Sequence, residues 1–276
     1  MTNRGFKAGW ISVDGVADPY HYVRLMDMIR GGREDDPERY RSVFDALGVG
    51  EGEEVLDVGC GTGGAARALA ARFPGVGRVV GIDKSETMVA EAGARTAAAA
   101  PEAAARVEFR VADAHRLPFP EASFDAAYAL GVFEIVGEPR VALSEMARVL
   151  RPGGRVVVNG PDVDAWTIDS VDREVTRKVL HYACDFETNG WVGRQLPAWC
   201  KELGLVDIVV APVGLCITEF EPVYDLCLRV FAERAVAAGA VPAERVERWV
   251  EELRGRAREG LFFSTQMLFR VTARKP

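Results

Sequence analysis

Three aspartates and a run of glycines are the residues of this chain best suited to hold a charged ligand. The run is Val55-Leu56-Asp57-Val58-Gly59-Cys60-Gly61-Thr62-Gly63-Gly64. Its apolar start reads as the end of a strand, its glycines as a tight turn, and the residues after them as a helix. Glycine tolerates positive φ and lets a ligand approach the backbone with no Cβ in the way. The amides that open the helix then face that ligand with the positive end of the helix dipole. Gly59, Gly61 and Gly64 also satisfy the dinucleotide GxGxxG spacing, so the glycines alone do not choose a cofactor. Asp57 discriminates. A carboxylate two residues before the first glycine is repelled by a pyrophosphate and attracted by an amine or a sulfonium. The plain alternative is a turn that only packs helix on strand.

Asp83 closes a second strand 24 residues beyond Gly59, where an acid accepts hydrogen bonds from both hydroxyls of a ribose. Asp113 closes a third. There a carboxylate accepts from the exocyclic amine of an adenine, the Ala114 amide donates to a ring nitrogen, and His115 walls the same pocket. Met88, one turn into the helix after Asp83, is placed either against the adenine or in the core. Acids at three successive strand ends share the carboxyl edge of a sheet and define one crevice.

The elements that must position these residues alternate. EEVLDVG, RVVGID, ARVEFRVAD, FDAAYAL and GGRVVVNG read as strands. GTGGAARALAARF, SETMVAEAGARTAAAA and EPRVALSEMARVL read as helices between them. Such βαβ alternation implies an α/β fold with a mostly parallel sheet. Upstream, residues up to Asp18 show no periodicity and read as loose. PYHYVRLMDMIR is an amphipathic helix with Tyr22, Leu25, Met26 and Ile29 on one stripe, ended by Gly31-Gly32. A second helix comes after Asp36-Pro37, turns Tyr40, Val43, Phe44 and Leu47 inward, and stops at Gly48. After Gly160 the rhythm breaks. Helices are expected over 169–186, 193–204, 221–239 and 242–260, with strands over 205–218 and 261–274.

Composition narrows the partners. The chain has 276 residues, 49% hydrophobic and 27% charged, enough for a substantial core. Its 34 Lys and Arg against 41 Asp and Glu give a net charge of −7, which disfavours nucleic acid as the main partner. Three histidines (His21, His115, His181) and five cysteines with no CxxC pair argue against a zinc site or a disulfide framework. No signal peptide is visible, and no run of about 18 apolar residues occurs. The expectation is a reduced, cytoplasmic protein that needs no metal and has no stable membrane association.

With these motifs the sequence resembles class I S-adenosylmethionine-dependent methyltransferases. VLDVGCGTGG is similar to their first motif, GIDKSETMV to the acidic segment after it, and VEFRVADAHRLPFPEASFDAAYAL to the region of the adenine acid. LRPGGRVVV resembles their fifth-strand motif. The subgroup it most resembles is the small-molecule type of the ubiquinone/menaquinone-biosynthesis methyltransferases. Asp18 to Tyr22, and the NGWxGRxLP pattern at Asn189 to Pro197, resemble a bacterial branch of that group. The resemblance implies a Rossmann-like, seven-stranded, mostly parallel sheet with an antiparallel last strand. It also implies S-adenosyl-L-methionine as cofactor and a small-molecule acceptor. The cofactor-binding set it suggests comprises Asp57, Gly59, Cys60, Gly61, Asp83, Lys84, Met88, Asp113, Ala114, His115 and Leu130. Tyr22 joins them to close a lid, and Arg24 to meet the cofactor carboxylate. The expected organisation is N-terminal cap helices over 1–47, the cofactor core over 48–160 and a helical lid over 161–204. Two last strands complete the chain over 205–276, with a helical insertion at 221–259. One departure matters: relatives carry a histidine after the fourth strand, and Ile135 stands there.

Methyl transfer from a sulfonium is an in-line displacement in which orientation supplies much of the rate. A hydroxyl or carbon acid as acceptor calls for a general base. The candidates are His21, Glu134 and Asp162, with Asp164 and His181 behind them. Trp166, Trp191, Trp199 and Trp249 suit either a flat acceptor or packing between inserted helices. Three other readings stand beside this one. They are a same-fold enzyme catalysing a cyclisation or other non-methylating reaction, a cofactor-binding regulatory module, and a nicotinamide dehydrogenase, which Asp57 disfavours.

Overall fold

The computed structural model describes residues 9–10, 12–30, 35–99 and 101–276. Seven strands form one sheet. They are β1 (Glu54–Val58), β2 (Arg78–Asp83), β3 (Val107–Val111), β4 (Phe124–Ala129), β5 (Leu150–Ile168), β6 (Val206–Ile217) and β7 (Ser264–Arg274). Their spatial order is β3-β2-β1-β4-β5-β7-β6. The first five run parallel, and β7 lies antiparallel between β5 and β6. The strand order reverses between β1 and β4, which opens a crevice at their carboxyl ends.

Alternation along the strands builds a core on each face. Leu56, Val58, Ala127 and Val156 pack under α6 (Pro139–Val149) and α8 (Val192–Glu202). Val55, Val79, Tyr128 and Val157 pack under α2 (Arg41–Leu47) and α3 (Gly64–Arg72). Every residue of α3 from Gly64 to Ala70 is buried, and its small side chains let it lie close to the sheet. α4 (Glu86–Ala97) and the short α5 (Pro101–Ala104) join β2 to β3.

A third core belongs to the lid. α7 (Arg173–Tyr182), α9 (Phe220–Val223), α10 (Arg229–Ala237) and α11 (Ala243–Arg258) bury Val179, Phe220, Phe231 and Trp249 against Trp166 and Ile168 of β5. π-helical turns continue α7 over Ala183–Glu187 and join α9 to α10 over Tyr224–Leu228.

The structure departs from the sequence-based expectation in three places. β5 does not stop at Gly160 but runs to Ile168, because β7 pairs with it as far as Ser264. Asp162 and Asp164 therefore sit in a strand rather than a loop. α8 is no lid helix, since Leu196 and Cys200 are buried in the sheet core. Among the described residues before Asp18, Val13–Gly15 is not loose but forms a turn with Val13 buried. Its neighbour α1 (Tyr20–Arg30) buries Val23 and Leu25. The Gly31-Gly32 stop and the side chain of Ile29 lie outside the described residues. Asp36 accepts from the Glu38 amide at 3.0 Å before α2, and Gly48 closes that helix at a φ of +56°, as the pattern required. Among the described residues no helix is long and apolar enough to cross a membrane.

Candidate functional site

The glycine turn leaves β1 with positive φ at Gly59 (+74°), Gly61 (+53°) and Gly63 (+79°). Asp83 closes the turn from β2. One of its carboxylate oxygens accepts from the Gly61 amide at 2.9 Å and the other from the Ser85 amide at 3.0 Å. Burial pushes this carboxyl above its usual value, and those amides oppose the shift. Asp57 lies buried beneath the turn, in register with Tyr128 of β4. Burial and then the Asp57 carboxylate hold the Tyr128 phenol well above its usual value, so it stays protonated.

Asp113 is gripped on several sides. Its carboxylate accepts from the His115 amide at 2.9 Å and from His115 Nδ1 at 2.5 Å, and the Lys84 ammonium stands 3.5 Å away. The Glu138 amide donates to His115 Nε2 at 3.2 Å, which places the ring proton on Nδ1. Burial works against charge on Asp113. The His115 bonds and Lys84 outweigh it and hold this carboxyl below its usual value.

One cavity of about 710 Å³ runs from this strand edge into the lid. Gly59, Gly61, Asp83, Lys84, Met88, Asp113, Ala114, His115, Leu130 and Glu134 all line it. Met88 does so while also packing on Val13 and Val23. Deeper in, the walls are mainly apolar: Ile135, Val163, Trp166, Val223, Leu226 and Phe231. Leu226 belongs to the π-helical turn before α10. Trp166 is held by its indole N–H, which donates to Ser264 Oγ at 2.8 Å.

Glu134 is the unusual group. One of its carboxylate oxygens is buried with no hydrogen-bond partner, and burial pushes its pKa up to about 7. It stands one residue before Ile135, which occupies the position where relatives carry a histidine.

Several candidates lie elsewhere. Asp162 points to the far side of β5 from Pro161 and Val163. It is paired in two bonds of 2.7 Å with Arg194 and does not line the cavity. Arg24 is exposed and paired with Asp18. His21 is exposed on α1, where its ring meets the Tyr22 edge with centroids 5.5 Å apart, and it does not line the cavity. Tyr22 packs against Trp10, and Cys60 is buried outside the cavity. Trp191 bonds Asp164 at 2.7 Å, and Trp249 bonds Thr176 at 2.9 Å within the lid core. Sequence reasoning missed Trp10, Val13 and Arg39, which line the cavity from the N-terminal segment. No local pattern marks Arg39; it stands on a turn whose motif signals only a helix start.

Residues 56–158 match the methyltransferase domain family. Over the whole chain the similarity is wider. A 37.1 kDa uncharacterised protein in transposon TN4556 of Streptomyces fradiae is 38% identical over 87% of this chain and 68% of its own length. The O-methyltransferase rstn1 of Aspergillus nomiae is 35% identical over 51% of this chain and 68% of its own. The chain belongs to the class I S-adenosylmethionine-dependent methyltransferases. It spans about half the length of other O-methyltransferases that it matches. Among solved structures, phosphoethanolamine N-methyltransferase 2 of Haemonchus contortus, in complex with S-adenosyl-L-methionine, shares the fold. The TM-score is 0.62 at 21% identity, covering 97% of this chain and 60% of that one. As a methyltransferase, the chain has a cavity whose two ends differ in chemistry: acids and amides at the strand edge, apolar walls under the lid. The close backbone of the glycine turn and the accepting carboxylates of Asp83 and Asp113 fit a sulfonium nucleoside.

Proposed function

We propose that this methyltransferase moves a methyl group from S-adenosyl-L-methionine to a hydroxyl of a small, largely apolar molecule in the cytoplasm. The observation that carries the reading is the Glu134 carboxyl, one oxygen of it buried without a partner, in a cavity lined by both strand-end acids and apolar lid residues. When bound, the cofactor supplies an electrophilic methyl on a positively charged sulfur. The protein does the rest. Asp83 accepts from the ribose hydroxyls, Asp113 and the Ala114 amide hold the adenine, and Arg39 meets the carboxylate. Lid residues exclude water and orient the acceptor, which is the larger share of such catalysis. Glu134 takes the hydroxyl proton as the new oxygen–carbon bond forms and the sulfur–carbon bond breaks. A carboxyl with a pKa of about 7 is matched to that task near neutrality.

The test is a screen of extracted metabolites with methyl-labelled cofactor and purified protein. Label should enter the apolar fraction, and E134Q should slow it by roughly 10²–10⁴-fold at pH 8. A new product without label would instead support the non-methylating reading. No uptake in any fraction, with cofactor bound, would refute both the hydroxyl and the transfer.

A further inference from the structure

The loop that leaves β4 takes its shape from a residue 56 positions beyond Phe133. Within this loop only a tight turn is self-made, where the amides of Ile135 and Val136 both donate to the Val132 carbonyl. The neighbouring carbonyls are taken by Asn189. Its side-chain nitrogen donates to the Phe133 and Val136 carbonyls, each at 2.8 Å. Its backbone amide donates to the Glu134 carbonyl at 2.7 Å. Three carbonyls in four residues are thus held by one asparagine, while the loop's side chains divide. Phe133 is anchored in the core, and Glu134 and Ile135 face the cavity.

Asn189 is itself fixed from behind. It lies between the π-helical end of α7 and the start of α8, and its carbonyl accepts from the Val192 amide at 3.0 Å. The carbonyl of the next residue, Gly190, accepts from the Val163 amide of β5 at 2.9 Å. A Cβ on Gly190 would stand 2.4 Å from Cys184 Sγ, and one on Gly193 would stand 2.4 Å from the Gly160 carbonyl. The two glycines therefore seat this turn directly on β5 and the lid. The NGWxG pattern supplies that seat. We propose that Asn189 is the positioning residue for Glu134: an amide clamp that ties the lid to the loop and sets where the carboxyl sits in the cavity.

The purpose of the clamp rests on Glu134 acting as proton acceptor, but its geometry does not. The other ionisable groups that line the same cavity are Arg39, Asp83, Lys84, Asp113, His115, Cys216, Glu219 and Cys227. None of them contributes to the elevation of Glu134, which comes from burial alone, opposed by its own backbone amide. The carboxyl's environment therefore reports the loop's position.

The experiment tracks Glu134 by carbon NMR in the full chain labelled with δ-¹³C glutamate, its resonance assigned by loss in E134Q. Wild type should titrate near pH 7. In N189A the loop loosens, water reaches the carboxyl, and the midpoint should fall by about one pH unit or more towards the ordinary range. Asn189→Ser, which keeps one donor, should fall between the two and carries the test should N189A not fold. Trp249→Phe removes the bond to Thr176 in the lid core; it should lower the melting temperature and leave the midpoint in place. An unmoved midpoint in both Asn189 variants, or an equal shift in W249F, overturns the clamp. An ordinary midpoint in wild type overturns both the clamp and the proton-acceptor role. Full methyl transfer by E134Q, with the midpoint still shifted by N189A, overturns only the role.

Discussion

The Ser85 hydroxyl donates to the Asp14 carboxylate at 2.8 Å, across 71 residues of sequence. Asp14 also accepts from the Glu86 amide at 2.7 Å and the Thr87 amide at 3.1 Å, while Ser85 accepts from the Met88 amide at 3.1 Å. The open donors of the first turn of α4 are thereby satisfied, and half of them by the N-terminal segment. That segment brings Trp10 and Val13 to the cavity.

Asp14→Ala should lower stability by about 1 kcal/mol, the usual worth of a lost cap, and weaken cofactor binding as Val13 loses its anchor. Burial works against charge on Asp14, but bonds from Thr87, Ser85 and Glu86 outweigh it and hold the carboxyl below its usual value. A depressed acid contributes stability above its unfolded value of about 3.9, and the contribution fades as pH falls through the folded value. Thermal melts should show a gap between wild type and variant that is constant from pH 7 to 5 and closes only in strong acid. A gap closing near pH 6 would contradict the cap.

Arg39 and Arg24 should separate cleanly. Arg39 lines the cavity and Arg24 is paired with Asp18 outside it. Titration calorimetry with S-adenosyl-L-methionine should find Arg39→Ala weaker by about tenfold, the value of one charge-assisted contact. R24A should bind as wild type. Equal losses in the two would return the role to α1.

Asp83→Ala should weaken cofactor binding by roughly 10- to 100-fold. The Gly61 and Ser85 amides lose their acceptor at the same time, so the turn loosens along with the ligand's loss. Amide hydrogen exchange at Gly61 should therefore rise even without cofactor. Unchanged affinity would remove Asp83 from the ribose.

For Glu134 the linkage runs the other way. Its folded pKa is raised from 4.5 to about 7, so the neutral form favours the fold and that advantage is lost as pH rises through 7. E134Q keeps the neutral form. It should match wild type near pH 4, below the unfolded value, and exceed it at pH 8 by up to roughly 3 kcal/mol, read by denaturant titration at both values. A variant less stable than wild type at pH 8 would mean that the carboxylate has a partner in the fold.

Much of this architecture is legible in local sequence because local forces specify it. The alternation of apolar runs and helices, the glycine turn, the acids closing β2 and β3 and the Asp36 cap depend on neighbours a few residues away. So does the set of three strand-end acids, which fall on one edge in any parallel sheet. The boundary of β5 was not legible. Residues 161–168 carry two aspartates and read as loop, yet β7 pairs with them, Thr265 meeting Thr167 across 98 residues of sequence.

Sequence alone determined the fold class, the strand edge and the acidic end of the cavity, since positive φ and strand-end placement depend on residue type and order. The tertiary structure decided which side chains face inward. Strand register turns Val163 to the cavity and Asp162 to Arg194. The N-terminal segment presents Arg39 rather than Arg24. Glu134, one of several acids in the sequence, is set apart by lining the cavity with a buried, unpartnered carboxylate oxygen. That distinction arises from contacts between segments far apart in the chain, which no local pattern encodes.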